Sequence, residues 1–165
     1  MYHHPQPFLP ASNSEHLNRG DIVLFRFPLA EEDGEHGAPK RRPCLVLDTL
    51  TNGNERFVKI AYGTSAETRA NRGYEVIVKQ SAARETAGLS KPTRFVCARR
   101  IIVHASHSGF DGRTKGPHII GRLDVPLLER LNAVRARIQA EADIAAYYRE
   151  EQRQEEQARE DRGFQ

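Results

Sequence analysis

The strongest constraint on the fold is the run from residue 43 to residue 64. The segment Pro43-Cys-Leu-Val-Leu-Asp-Thr-Leu50 is almost continuously apolar. That is the pattern of a central strand buried on both faces. The segment Glu55-Arg-Phe-Val-Lys-Ile-Ala-Tyr-Gly-Thr64 is β-branched and aromatic, and between the two lies Thr51-Asn-Gly-Asn54. Asn-Gly between two such runs is a strong short-range signal for a β-hairpin. A hairpin turning near Gly53 places Arg42 and Thr64 about equally far from the turn, so they are expected to be cross-strand neighbours.

Other strand-like runs surround this hairpin. Asp21-Ile-Val-Leu-Phe-Arg-Phe27 precedes it, bounded by Arg19-Gly20 and Pro28. Gly73-Tyr-Glu-Val-Ile-Val-Lys-Gln80 alternates, with Tyr74, Val76 and Val78 on one side. Arg94-Phe-Val-Cys-Ala-Arg-Arg-Ile-Ile-Val-His104 follows Lys91-Pro92. Short strands separated by turn signals every ten or so residues predict a small antiparallel barrel or sandwich.

The end of the chain follows a different period. Asp124 is placed as an N-cap with Pro126 in the first turn. Leu127, Leu131, Val134, Ile138, Ala142 and Ala145 then recur at helical spacing, with Leu128 widening the stripe. From Arg149 to Arg162 the chain has no apolar face, and ion pairs between successive turns are the only local support for a helix there, so this segment is expected to fray or to serve as a contact for a partner. The expected fold is mainly β with one long C-terminal helix. Three regions are expected: a disordered N-terminal arm over 1–17, a domain over 18–148, and a charged extension over 149–165.

Composition narrows the function classes. No stretch of the 165 residues approaches the roughly 18 apolar residues of a membrane span. The first residues lack the basic-then-apolar order of a secretory signal, so the chain is expected to be cytoplasmic. Cys44 and Cys97 each sit inside an apolar run, and there is no Cys-x-x-Cys or Cys/His cluster at zinc spacing. Gly-rich phosphate loops, His-Glu-x-x-His and Gly-x-Ser-x-Gly are absent, so neither a cofactor nor a metal is expected. The net charge of +3 is unevenly spread: residues 1–124 hold 18 Lys/Arg against 13 Asp/Glu, and residues 125–165 hold 7 against 9. A basic front half can meet nucleic acid.

The densest basic cluster is Lys40, Arg41 and Arg42, with His36 close by. Guanidinium groups in a loop suit phosphate recognition, and the same cluster also fits a solvated turn. Where the third strand leaves the sheet, Tyr62-Gly63-Thr64-Ser65 adds hydroxyls and backbone N–H groups beside Arg42. Tyr62 and Phe95 are of a type that stacks on RNA bases and equally of a type that fills a core. Arg94, Arg99 and Arg100 flank the fifth strand within reach of phosphate or as ordinary surface charge.

Five blocks in order carry a resemblance: Arg-Gly-Asp-Ile-Val at 19–23, Arg-Arg-Pro-Cys-Leu-Val-Leu at 41–47, Tyr-Gly-Thr-Ser at 62–65, Gly-Leu-Ser-Lys-Pro-Thr at 88–93 and Ile-Gly-Arg-Leu at 120–123. Together they resemble the MazF/PemK toxins of type II toxin–antitoxin systems over about residues 18–140. The resemblance implies an SH3-like, CcdB-like barrel and a homodimer. It implies an endoribonuclease that cuts single-stranded RNA at short motifs and is neutralised by a cognate antitoxin. By position, Arg42 and Thr64 match the family's catalytic pair, and His36, Lys40 and Arg41 fall in the loop over the substrate groove.

On this basis Arg42, Thr64 and His36 are expected to act in catalysis, and Lys40, Arg41, Tyr62, Ser65 and Arg94 to contact RNA. Two other functions use the same fold: inhibition of DNA gyrase without catalysis, and nucleic-acid binding without activity. The N-terminal arm and the charged extension lie outside the resemblance, and the continuation Arg94-Phe95 departs from many relatives.

Overall fold

The computed structural model describes residues 17–26, 40–110 and 117–164. Six strands and two helices follow in the order β1 (Asp21–Phe25), β2 (Arg42–Asn52), β3 (Glu55–Thr64), β4 (Glu75–Val78), α1 (Ser81–Ala87), β5 (Thr93–His104), β6 (Ile119–Arg122) and α2 (Val125–Gly163). The strands form one antiparallel sheet in the order β4-β5-β3-β2-β1-β6. The mainly-β architecture with a long terminal helix agrees with the sequence reading. The barrel, however, is open. The edge strands β4 and β6 are not paired with each other, and α1 packs against both of them. A helix laid over two sheet edges shields the unpaired backbone groups that an open sheet exposes.

The β2–β3 hairpin closes at Asn52 opposite Glu55, so its turn residues are Gly53 and Asn54. The positive φ falls on Gly53 (63°) and not on either asparagine, which is the glycine-first arrangement of a two-residue turn. The ladder then slips at a β-bulge: Asp48 pairs with Lys59, but Val46 pairs with Ile60, leaving Leu47 as the extra residue. Beyond the bulge Cys44 faces Tyr62. The paired ladder ends there; carried two residues further, the same register would align Arg42 with Thr64.

The apolar run in β2 is divided between two cores, as a strand buried on both faces requires. Leu45 and Leu47 join Ile22, Ala61, Val76, Phe95 and Cys97 on one face, against Ala83 and Ala87 of α1 and Leu131 and Val134 of α2. Cys44 and Val46 join Val23, Phe25, Val58, Ile60 and Tyr62 on the other, with Leu17, Val103 and Phe110. Both cysteines are free and buried, and burial pushes each thiol up to about 12.

Helix α2 begins as its sequence predicts: the Asp124 carboxylate accepts a hydrogen bond from the Leu127 N–H at 3.0 Å. Its apolar stripe is used only as far as Ile138. Leu131 and Val134 are buried and Leu127, Leu128 and Ile138 pack partly, whereas Ala142 and Ala145 are exposed because the helix has by then left the sheet. The last tie to the body is a clasp on Tyr74, the residue before β4. Tyr74 Oη donates to Glu141 at 2.6 Å, Arg137 Nε donates to the same carboxylate at 3.0 Å, and the Arg137 guanidinium lies 4.5 Å over the Tyr74 ring. Beyond Glu141 the helix continues through the whole charged segment to Gly163, fully exposed. At about 1.5 Å per residue this free part is roughly 33 Å long.

Candidate functional site

Several strand ends converge at one end of the sheet. The start of β2 brings Lys40, Arg41, Arg42 and Pro43; the end of β3 brings Gly63, Thr64, Ser65 and Ala66; the connection from α1 into β5 brings Gly88 to Lys91 and Thr93. Leu24 of β1 and Ile120 of β6 complete an open cleft of about 590 Å³. Strand pairing accounts for the convergence: β3 runs between β2 and β5, so its C-terminal end meets the N-terminal ends of both. Thr64 is opposite Arg94 on the β5 side and continues the register opposite Arg42 on the β2 side.

The floor is tightly built. A methyl group added to Gly63 would lie 2.8 Å from the Pro43 carbonyl oxygen, 2.8 Å from the Phe95 ring and 2.8 Å from the Thr93 methyl. Only glycine lets these three strands approach so closely. Thr64 Oγ1 accepts the Ala66 N–H at 3.1 Å, which turns the chain out of the sheet and leaves the hydroxyl proton for donation. Thr93 is buried and donates to the Lys91 carbonyl at 3.0 Å, shaping the loop that carries Lys91.

Four cations line the cleft: Lys40, Arg41, Arg42 and Lys91. Among the described residues its lining contains no carboxylate and no imidazole. The field inside is therefore positive, and hydroxyls from Thr64, Ser65, Ser90 and Thr93 lie around it. Guanidinium and ammonium donors beside hydroxyl donors suit a phosphate, which presents several acceptor oxygens at once. The Arg42 Nε is buried, so part of its side chain is set into the wall of the cleft.

The residues singled out from sequence separate into three groups. Lys40, Arg41, Arg42, Thr64 and Ser65 come together here. Tyr62 and Arg94 do not line the cleft. Tyr62 is buried in the second core and its hydroxyl is 3.2 Å from the Arg99 guanidinium. Arg94 is a brace: its Nη1 donates to the Thr68 and Ala70 carbonyls and to Glu75 at 3.0 Å, and its Nη2 donates to Thr68 Oγ1 at 2.8 Å. Phe95 is fully buried and packs in the first core. His36 lies outside the described residues. Ser90, Lys91 and Thr93 were not singled out as site residues. The signal for them was the same Ser-Lys-Pro-Thr segment, once β5 is paired to β3 through Thr64.

The fold and site define a small α+β protein with an open antiparallel sheet, a helical cover and a basic, hydroxyl-lined cleft at one sheet end. Residues 18–138 match the family of PemK-like, MazF-like toxins of type II toxin–antitoxin systems, and the chain belongs to that family. No curated protein matches the chain in direct comparison. The match ends at Ile138, the last residue of α2 that packs on the sheet, so the projecting part of α2 lies beyond it. Among the described residues no helix is long and apolar enough to cross a membrane.

Proposed function

We propose that this toxin is an endoribonuclease that cuts single-stranded RNA at short motifs without a metal ion. The observation that carries the reading is that Arg42 and Thr64 line one cationic cleft, in a chain of this family. In the proposed reaction the substrate's 2′-oxygen attacks the adjacent phosphorus and the bond to the 5′-oxygen breaks. The products are a 2′,3′-cyclic phosphate and a 5′-hydroxyl. Arg42 stabilises the charge that builds on the phosphorane, and it is unsuited to act as base because a guanidinium keeps its proton. Thr64 donates to a non-bridging oxygen. His36 is assigned the proton transfer, since imidazole titrates near neutrality.

Lys40, Arg41, Ser65 and Lys91 hold flanking phosphates in this reading. A homodimer is the proposed assembly, a cognate antitoxin the proposed inhibitor, and the cytoplasm the proposed site of action. The test is incubation of the purified protein with a defined single-stranded RNA in EDTA. Cleavage at a short motif with a cyclic phosphate end is expected, and Arg42→Ala should abolish it while the thermal midpoint is retained. Full activity in Arg42→Ala would remove Arg42 from the mechanism. Intact RNA retarded on a gel by the wild type would indicate binding alone, and trapped gyrase–DNA complexes would indicate gyrase inhibition.

A further inference from the structure

A second cavity, of about 300 Å³, lies between β3, β5 and α2, and none of its lining residues belongs to the first cleft. Lys59 enters it from β3, Arg100 from β5, and Arg135 from α2 with the Gln139 amide one turn further on. Its floor is apolar, formed by the buried Leu47 and Cys97. Arg135 is paired with Asp48 at 2.8 Å, and Asp48 also takes Arg19 at 3.4 Å. Neither Lys59 nor Arg100 is paired with a carboxylate among the described residues.

Three cations thus line one cavity, and of these only Arg135 is paired with a carboxylate, Asp48. Like charges held together over an apolar floor repel, and the repulsion is less screened there than in open water. An anion between them relieves it. Donors arriving from three separate elements match a phosphate group, whose oxygens accept from several directions. The volume is at the lower end of small-ligand sites.

We propose that this cavity is a second anion site that takes a phosphate group, held by Lys59 and Arg100 from the sheet and Arg135 from the helix. Lys59 and Thr64 are five residues apart on β3, roughly 17 Å. That exceeds the Debye length of about 8 Å at physiological ionic strength, so the two sites bind independently. The phosphate has two sources, a free phosphomonoester or a phosphodiester within an RNA chain.

Calorimetry at physiological ionic strength, repeated over a range of salt for the RNA, tests the proposal with three probes: inorganic phosphate, uridine monophosphate, and a 2′-O-methyl RNA decamer that cannot be cleaved. The double variant Lys59→Gln/Arg100→Gln should weaken at least one probe tenfold or more, with its thermal midpoint retained, and Lys59→Arg should bind as the wild type does. Weakening of the small probes identifies a phosphomonoester. Weakening of the decamer alone, with a salt slope reduced by about 1.4 for the two charges removed on a single strand, identifies a phosphodiester. Equal binding of all three probes to both proteins overturns the proposal. Cleavage is not read, so failure of the ribonuclease reading leaves this result unaffected. If the double variant unfolds, Arg100→Gln alone serves, since Arg100 is exposed and packs in neither core.

Discussion

Gly63 sits beneath Pro43 so closely that a Cβ would come within 2.8 Å of the Pro43 carbonyl oxygen. These two residues lie immediately inside Thr64 and Arg42, and their approach sets the separation of the two proposed catalytic side chains. Gly63→Ala should therefore destabilise the fold by about 1–3 kcal/mol, the usual cost of overpacking. At roughly 2–4 °C per kcal/mol for a chain of this size, scanning calorimetry should show a clear drop in midpoint. An unchanged midpoint would mean that the strands part easily here.

Thr64 separates shape from chemistry. Thr64→Val keeps the volume and removes the hydroxyl, whereas Thr64→Ser keeps the hydroxyl. If Thr64 donates to the phosphorane, the valine variant should lose about 10²-fold or more in cleavage rate and the serine variant should stay within a few-fold of wild type. Equal losses in both would assign the residue to packing.

The thiols of Cys44 and Cys97 are both pushed up to about 12 by burial. The reactive thiolate is therefore scarce in the folded chain at ordinary pH. Iodoacetamide at pH 8 should leave both unmodified, as read by intact mass, and guanidinium should expose both together. Rapid labelling of one thiol in the native protein would reveal local opening of the sheet.

Asp21 is buried, and desolvation pushes its carboxyl above the ordinary value of 3.8, while the Asn18 N–H and the Arg122 charge pull it down. A raised value means that the folded state holds the proton more tightly than the unfolded one. The contribution of this group to stability is then fully present below pH 3.8 and is lost as the pH rises through the raised value. Asp21→Asn should thus gain on the wild type as urea titrations move from acid to neutral pH. The asparagine oxygen can still accept the Asn18 N–H that now reaches Asp21 Oδ2 at 2.8 Å.

Truncation after Tyr148 should shift the midpoint by less than about 2 °C, since no residue beyond it is buried. The helical signal in circular dichroism should fall in proportion to the residues lost. A large destabilisation would show that the extension supports the body.

Much of this architecture was legible in the chain because its signals are local. The hairpin, the two-sided burial of β2 and the Asp124 cap each depend on neighbours in sequence. Helix α1 and strand β6 were not foreseen. Ser81–Ala87 buries only Ala83 and Ala87, too few apolar groups to show a stripe, and Ile119–Arg122 is half-buried without alternation. In the site, the alignment of Arg42 with Thr64 follows from the bulge at Leu47, which no local pattern marks. Without that extra residue the register at the turn would have set Arg42 opposite Ser65. Arg94 is committed to groups 19 to 26 residues away, and such distant partners leave no trace in the segment around it.

The free half of α2 also changes how the molecule drifts through solvent. A rod of roughly 33 Å fixed to a rounded body raises hydrodynamic drag far more than it adds mass. The protein should therefore elute early from a sizing column and mimic a heavier particle. Its subunit count is accordingly a matter for light scattering or sedimentation equilibrium, in which mass is measured free of shape.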